Sequence, residues 1–69
     1  MKYEFIQLML RKEYIQRGVR VDAIQEILNS PTIIPDNIRQ AYLEEVEFLQ
    51  GEMAALVDVN VNIDIHFKE

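Results

Sequence analysis

Hydrophobic positions in the first part of the chain follow helical spacing. Four of them lie on one face of a helical projection, namely Phe5, Leu8, Met9 and Ile15. This is the pattern of an amphipathic helix. Gly18 follows Arg17, and a glycine after a basic residue is typical of a helix end, because glycine adopts the left-handed backbone at little cost. The pattern therefore predicts a first helix over residues 3–17.

A second, shorter helix is predicted after this glycine. Asp22 and Gln25 have the spacing of a capping box, in which the side chains near a helix start satisfy free backbone N–H groups. Three hydrophobic residues form the predicted buried edge, namely Ile24, Ile27 and Leu28. The segment 31–35 begins and ends with proline, which disfavours the helical backbone at the preceding residue. It is therefore predicted to be a rigid connector.

A long third helix is predicted to begin at Asp36. Its hydrophobic positions follow steps of four and three residues, at Ile38, Tyr42, Val46, Leu49, Met53 and Leu56. Such steps are typical of a coiled-coil seam. Leu43 and Phe48 widen the apolar arc beyond a strict seam. We therefore expect this helix to face both the first helix and a second subunit.

The hydrophobic period changes at residue 57. Apolar residues then alternate with polar ones, at Val57, Val59, Val61, Ile63, Ile65 and Phe67. Five of these six are β-branched, and strict alternation of this kind predicts a half-buried β-strand. The strand has no clear partner within the chain, so we expect a second copy to complete it.

These elements predict one α+β domain over residues 1–69 that is mainly α. It has two N-terminal helices, a long third helix and a single C-terminal strand, and dimerisation completes it. The predicted dimer interface consists of Tyr42, Val46, Leu49, Met53, Val59, Val61, Asn62, Ile63 and Ile65. Charge pairing across two antiparallel strands favours a register centred on Asn62, which places Asp58 opposite His66.

Charge and composition narrow the class of protein. The 69 residues carry a net charge of −5, which opposes binding to a phosphate backbone. The acidity belongs to the second half, where residues 36–69 carry two basic and eight acidic side chains. There is no cysteine, which fits a reducing compartment, and no apolar run approaches the length of a membrane span. We therefore expect a cytoplasmic protein.

Few residues suit catalysis or metal binding. Ser30, Thr32 and His66 are the only serine, threonine and histidine, and Ser30 precedes a proline in a predicted turn, an ordinary structural place. Asp64 and His66 would share one face of the predicted strand, but two ligands do not make a metal site. We therefore expect no enzyme activity, no metal and no cofactor.

The function expected from these features is that of a small non-enzymatic protein-interaction module. It would act as a homodimeric regulator or inhibitor of another protein, as many small bacterial and phage accessory proteins do. Glu44, Glu45 and Glu47 are the candidate contacts for a basic partner. Two alternatives stay open: a DNA-linked regulator that uses a helical hairpin over residues 11–29, or an acidic antitoxin-like protein that donates its C-terminal strand.

Overall fold

Two long helices form the molecule. The structure is a computed structural model that describes the backbone of residues 2–67 and the side chains of residues 4–65. Helix α1 spans Lys2–Leu28 and helix α2 spans Asp36–Phe67. They pack against each other as an antiparallel hairpin whose Cα atoms extend 53 × 14 × 13 Å. Over its described length, the chain is therefore a single elongated helical hairpin.

The two N-terminal helices expected from the sequence are one continuous helix. Gly18 has an ordinary negative φ and lies inside α1 rather than at its end. A Cβ built on Gly18 would lie 3.6 Å from Cε of Met53. This glycine therefore lies where α2 packs against α1, and the capping box expected at Asp22 is an ordinary turn of the helix.

The connector between the helices spans residues 29–35 and begins two residues before the predicted segment 31–35. Leu28 is the last residue of α1, and the backbone N–H of Asn29 still donates to the carbonyl of Gln25 at 3.0 Å. At the other end, the carbonyl of Pro35 accepts hydrogen bonds from the N–H groups of Ile38 and Arg39. These bonds start α2 at Asp36, the residue at which the third predicted helix was expected to begin.

The predicted C-terminal strand is wrong. Residues 57–67 continue α2 as helix, and no strand occurs in residues 2–67. A lone strand would leave its backbone N–H and C=O groups unpaired, whereas a helix satisfies them within the segment. The α+β class, the separate second helix and the strand register centred on Asn62 are therefore all incorrect.

A continuous seam holds the two helices together. The positions that face the partner helix alternate in steps of three and four residues, as in a coiled coil. On α1 they are Gln7, Leu10, Tyr14, Arg17, Val21, Ile24 and Leu28; on α2 they are Arg39, Tyr42, Val46, Leu49, Met53, Leu56, Asn60 and Ile63. Val21 and Ile24 are the only buried hydrophobic residues among the described side chains. The core is therefore small and lies near the connector.

Candidate interaction surfaces

Most of the large hydrophobic side chains lie on the surface of the hairpin. Sixteen are exposed among the described residues, compared with the two that are buried. Phe5 and Phe48 are each 65% exposed, and Ile65 is 68% exposed. Single exposed hydrophobic residues are normal, but extended apolar surface on a small protein marks an interaction site.

One long edge of the hairpin is closed by ion pairs, and we call it the ion-pair edge. It consists of Arg17, Arg20, Glu45 and Glu52. Nε of Arg20 donates to Oε2 of Glu45 at 2.6 Å and its Nη2 donates to Oε1 at 3.1 Å, a bidentate pair. Nε of Arg17 donates to Oε1 of Glu52 at 3.2 Å. This edge therefore satisfies its own charges.

The ion pairs shift the pKa values of their members. The hydrogen bond from Arg20 holds the pKa of Glu45 below its ordinary value, although partial desolvation opposes this. The hydrogen bond to Glu52 raises the pKa of Arg17. Both directions mean that the charged forms are favoured in the folded state. The edge therefore stays ionised at neutral pH.

The opposite long edge is an open apolar groove. It encloses about 370 Å³ and is lined by Leu10, Arg11, Tyr14, Ile15, Leu56, Val57 and Asn60. An adjoining depression shares Tyr14 and Val57 and extends the groove along Gln50, Met53 and Ala54. Arg11 is the one charged residue in this lining. We call this surface the apolar groove.

Asn60 brings a buried polar atom into the apolar groove. Its Oδ1 is buried and accepts no hydrogen bond from the described residues. Two other polar residues of the seam have partners, since Gln7 donates to Asp64 at 2.6 Å and Arg17 pairs with Glu52. Leaving a buried acceptor unpaired costs about 1–3 kcal/mol. The groove is therefore incompletely satisfied within one chain.

A second apolar surface runs along the far side of α1. The residues expected to form the face of the first helix include Phe5, Leu8 and Met9, and the structure leaves all three exposed. With Val19 they lie on the side of α1 opposite the seam, given 100° per residue. We call these four residues the outer stripe. Helix α1 is therefore apolar on two opposite sides.

The residues predicted for a dimer interface fall into two groups. Tyr42, Val46, Leu49, Met53 and Ile63 are half-buried in the seam, where α1 covers one side of each. Val59, Val61, Asn62 and Ile65 are exposed on the continuous helix. The seam spacing of the sequence is thus used within the chain, while four of the residues predicted to lie on a strand stay exposed.

The three acidic residues predicted to contact a partner are not equivalent. Glu45 is engaged by Arg20 on the ion-pair edge. Glu44 and Glu47 are exposed and lie beside Phe48 along a shallow depression on the outer side of α2, which Gly51 also lines. Of the three, Glu45 is the one that pairs with a basic side chain among the described residues.

The residues considered for chemistry are placed apart. The hydroxyl of Ser30 donates to Oγ1 of Thr32 at 3.0 Å and accepts from the Thr32 N–H at 3.1 Å, so its described partners lie in its own turn. No three acidic or histidine side chains converge as a metal site in the described part of the chain. Asp64 is hydrogen-bonded to Gln7, and the side chain of His66 lies outside the described residues.

The helical hairpin considered for DNA binding over residues 11–29 is not present, because the segment 11–28 is part of one uninterrupted helix. A helix–turn–helix needs a turn between its helices, and Gly18 makes none. Over residues 2–67, neither helix holds a stretch that is both long and apolar enough to cross a bilayer.

The sequence pattern did not predict two features of the structure. Arg17 and Arg20 each pair with a glutamate of α2. Tyr14 of α1 and Val57 of α2 line the same groove. The spacing of Arg17, Val21 and Ile24 continues unbroken past Gly18. This spacing is the sequence signal that would have indicated a single seam along α1.

In comparisons with known proteins, the chain matches no family model, no curated protein and no solved structure.

Proposed function

We propose that this protein is a non-enzymatic interaction module, a small homodimeric regulator or inhibitor that acts by binding another protein. The observation that carries the proposal is the excess of exposed over buried hydrophobic surface on both helices. Burial of such surface is the main driving force of protein association. A cytoplasmic location, which the cysteine-free sequence fits, is part of the same proposal.

The outer stripe is the surface we assign to the other protein. Phe5, Leu8, Met9 and Val19 present helix-spaced anchors of the kind that a helical partner accepts in an apolar groove or on its own apolar face. Lys12 lies along the middle of the stripe and is exposed. The partner we propose therefore combines an apolar helical surface with an acidic group opposite Lys12.

The role of an interaction module is favoured over the two alternatives on physical grounds. A DNA-linked role needs a basic face, and α2 carries seven acidic residues and one basic residue. Donation of a strand requires a strand, and residues 57–67 are helical. Neither alternative has an observation in its favour.

The experiment is affinity capture from a native lysate with a matched pair of variants. We expect the unmodified chain and the Val57→Lys variant to capture the same protein, whereas the Val19→Lys variant loses at least about tenfold of the captured amount. Val19 lies on the outer stripe and Val57 lies in the groove, and both valines are exposed, so the two variants add the same charge at comparable positions.

Circular dichroism of each variant confirms that the helices persist. Equal capture by the Val19→Lys variant and the unmodified chain would remove the outer stripe as the binding surface. Loss of capture in the Val57→Lys variant alone would contradict the outer stripe and show that capture depends on the groove.

A further inference from the structure

We infer that the apolar groove is covered by a second copy of this chain, giving a four-helix bundle in which each α1 lies beside α2 of the other copy. The inference deepens the proposed function and rests on it for the view that the exposed faces bind protein. It assigns the groove to self-association and leaves the outer stripe for the other protein.

The first argument is the area of exposed surface. The chain exposes 5599 Å², whereas a compact monomer of 8.2 kDa is expected to expose about 4,500 Å². The surplus is about 1,000 Å², and a stable protein–protein interface buries about 800 Å² on each partner. The elongated hairpin therefore exposes enough surplus area for a stable dimer interface.

The second argument selects the edge. On the ion-pair edge, Arg20 and Glu45 satisfy each other within the chain, so covering them would desolvate a pair that gains no new partner. The opposite edge holds the apolar groove with one charge, that of Arg11. Burying the groove removes apolar surface from water without breaking an existing ion pair.

The third argument is charge complementarity between the helices. Residues 2–28 carry five basic and four acidic side chains, whereas residues 36–67 carry one basic and seven acidic ones. Packing α2 against α2 of the second copy would bring two strongly acidic helices together, whereas packing α1 against α2 pairs opposite net charges. The charges therefore favour α1 beside the second copy's α2.

The placement of α1 beside the second copy's α2 determines the symmetry of the dimer. When two hairpins stack face to face, α1 lies beside the second copy's α2 only if the two-fold axis runs parallel to the helices. Both connectors then lie at the same end of the bundle, and residues at the same height meet.

The first experiment measures mass by sedimentation equilibrium on the purified full chain. We expect the unmodified chain and the Val19→Lys variant to sediment at twice 8.2 kDa at tens of micromolar. The Val57→Lys variant should show a dissociation constant raised roughly tenfold or more, because it places an unpaired charge in the covered groove. A monomeric unmodified chain, or a dimer lost in the Val19→Lys variant alone, would overturn the inference.

The second experiment does not depend on a disruptive variant. The chain lacks cysteine, so the Ile15→Cys and Val57→Cys variants each carry one reactive thiol on opposite walls of the groove. A short bis-maleimide is added to each variant alone and to their mixture, with one variant tagged so that the products differ in mass. The mixture should give a cross-linked product that exceeds both self-products.

Dominant self-linking of the Ile15→Cys variant would instead place α1 beside α1 of the second copy and refute the arrangement. The outcomes also separate this inference from the proposed function. A dimer with no captured protein supports the covered groove and contradicts binding to another protein, whereas capture by a monomer supports that binding and contradicts the covered groove.

Discussion

The two halves of the hairpin share one seam but differ in how well they are packed. The loop half, residues 17–53, holds the buried Val21 and Ile24 and the ion pairs of the ion-pair edge. The free half, residues 4–15 and 54–65, holds the apolar groove and the unpartnered Oδ1 of Asn60. The spacing of the seam positions brings the two helices into contact along their whole length, whereas the identity of the seam side chains decides where a buried core forms.

The reason for the difference lies in the seam residues. In the loop half, valine, isoleucine and leucine occupy most seam positions, and the charged Arg17 has a partner. In the free half, Gln7 and Asn60 take seam positions, while the valines at residues 57, 59 and 61 stay exposed. A helix with apolar residues on several sides cannot bury them all against one neighbour. The free half therefore carries apolar surface that the single hairpin leaves exposed.

The largest expected effect comes from truncation in the loop half. Ile24 is fully buried, so Ile24→Ala should lower the free energy of unfolding by about 2–5 kcal/mol through lost burial and a cavity. The same truncation at Ile65, which is largely exposed, should cost well under half of that. Urea denaturation at one fixed protein concentration measures both. Equal losses at the two sites would show that the two halves are equally packed.

The Asn60→Leu variant tests the effect of the buried, unpaired Oδ1 of Asn60 in the free half. The change removes a buried acceptor that lacks a partner in the single chain and adds apolar contacts in the groove, so we expect a gain of about 1 kcal/mol. Asn60→Ala is the control that removes the amide without filling space. A loss of stability in the leucine variant would mean that the amide is satisfied in the native assembly.

Gly51→Ala tests how firmly the two halves of α2 are joined. A Cβ at Gly51 meets nothing within 4 Å, so alanine should raise stability by about 0.5–1 kcal/mol through helix propensity alone. Gly18→Ala is the matched control, since its Cβ would lie 3.6 Å from Met53 and the gain should be no larger. Thermal unfolding followed by circular dichroism reports both. A loss at Gly51 would reveal a neighbour that the single hairpin does not contain.

The smallest expected effect is the pH dependence of the ion-pair edge. The pKa of Glu45 is lowered from its ordinary 4.5 by Arg20, so this contribution to stability is present above that value and is lost as the pH falls through the lowered pKa. The contribution is modest because both side chains are partly exposed. Stability of Arg20→Gln should therefore fall less on acidification than that of the unmodified chain.

Arg11→Gln is the control for that measurement, because Arg11 lies in the apolar groove and not on the ion-pair edge. If Arg11→Gln and Arg20→Gln respond to acid in the same way, the ion pair does not contribute to the pH dependence.

The sequence predicted the beginning of α2 and the seam over Tyr42, Val46, Leu49, Met53 and Leu56, because proline and steps of three and four are strong local signals. It misplaced two elements for identifiable reasons. Gly18 looked like a helix end, since sequence alone cannot show Met53 packing beside it. The alternation at residues 57–67 looked like a strand, since β-branched residues favour strands when a sheet exists to receive them.

The sequence by itself determined where α2 begins, the acidity of the second half and the surplus of hydrophobic residues, which are local or compositional properties. Only the tertiary structure decided which side of each helix is covered. Val21 and Ile24 became the core because α2 lies against them, while Phe5, Leu8 and Val19 stayed exposed on the same helix. Both sets have helical spacing, and only the contact with a second helix distinguishes a buried face from an open one.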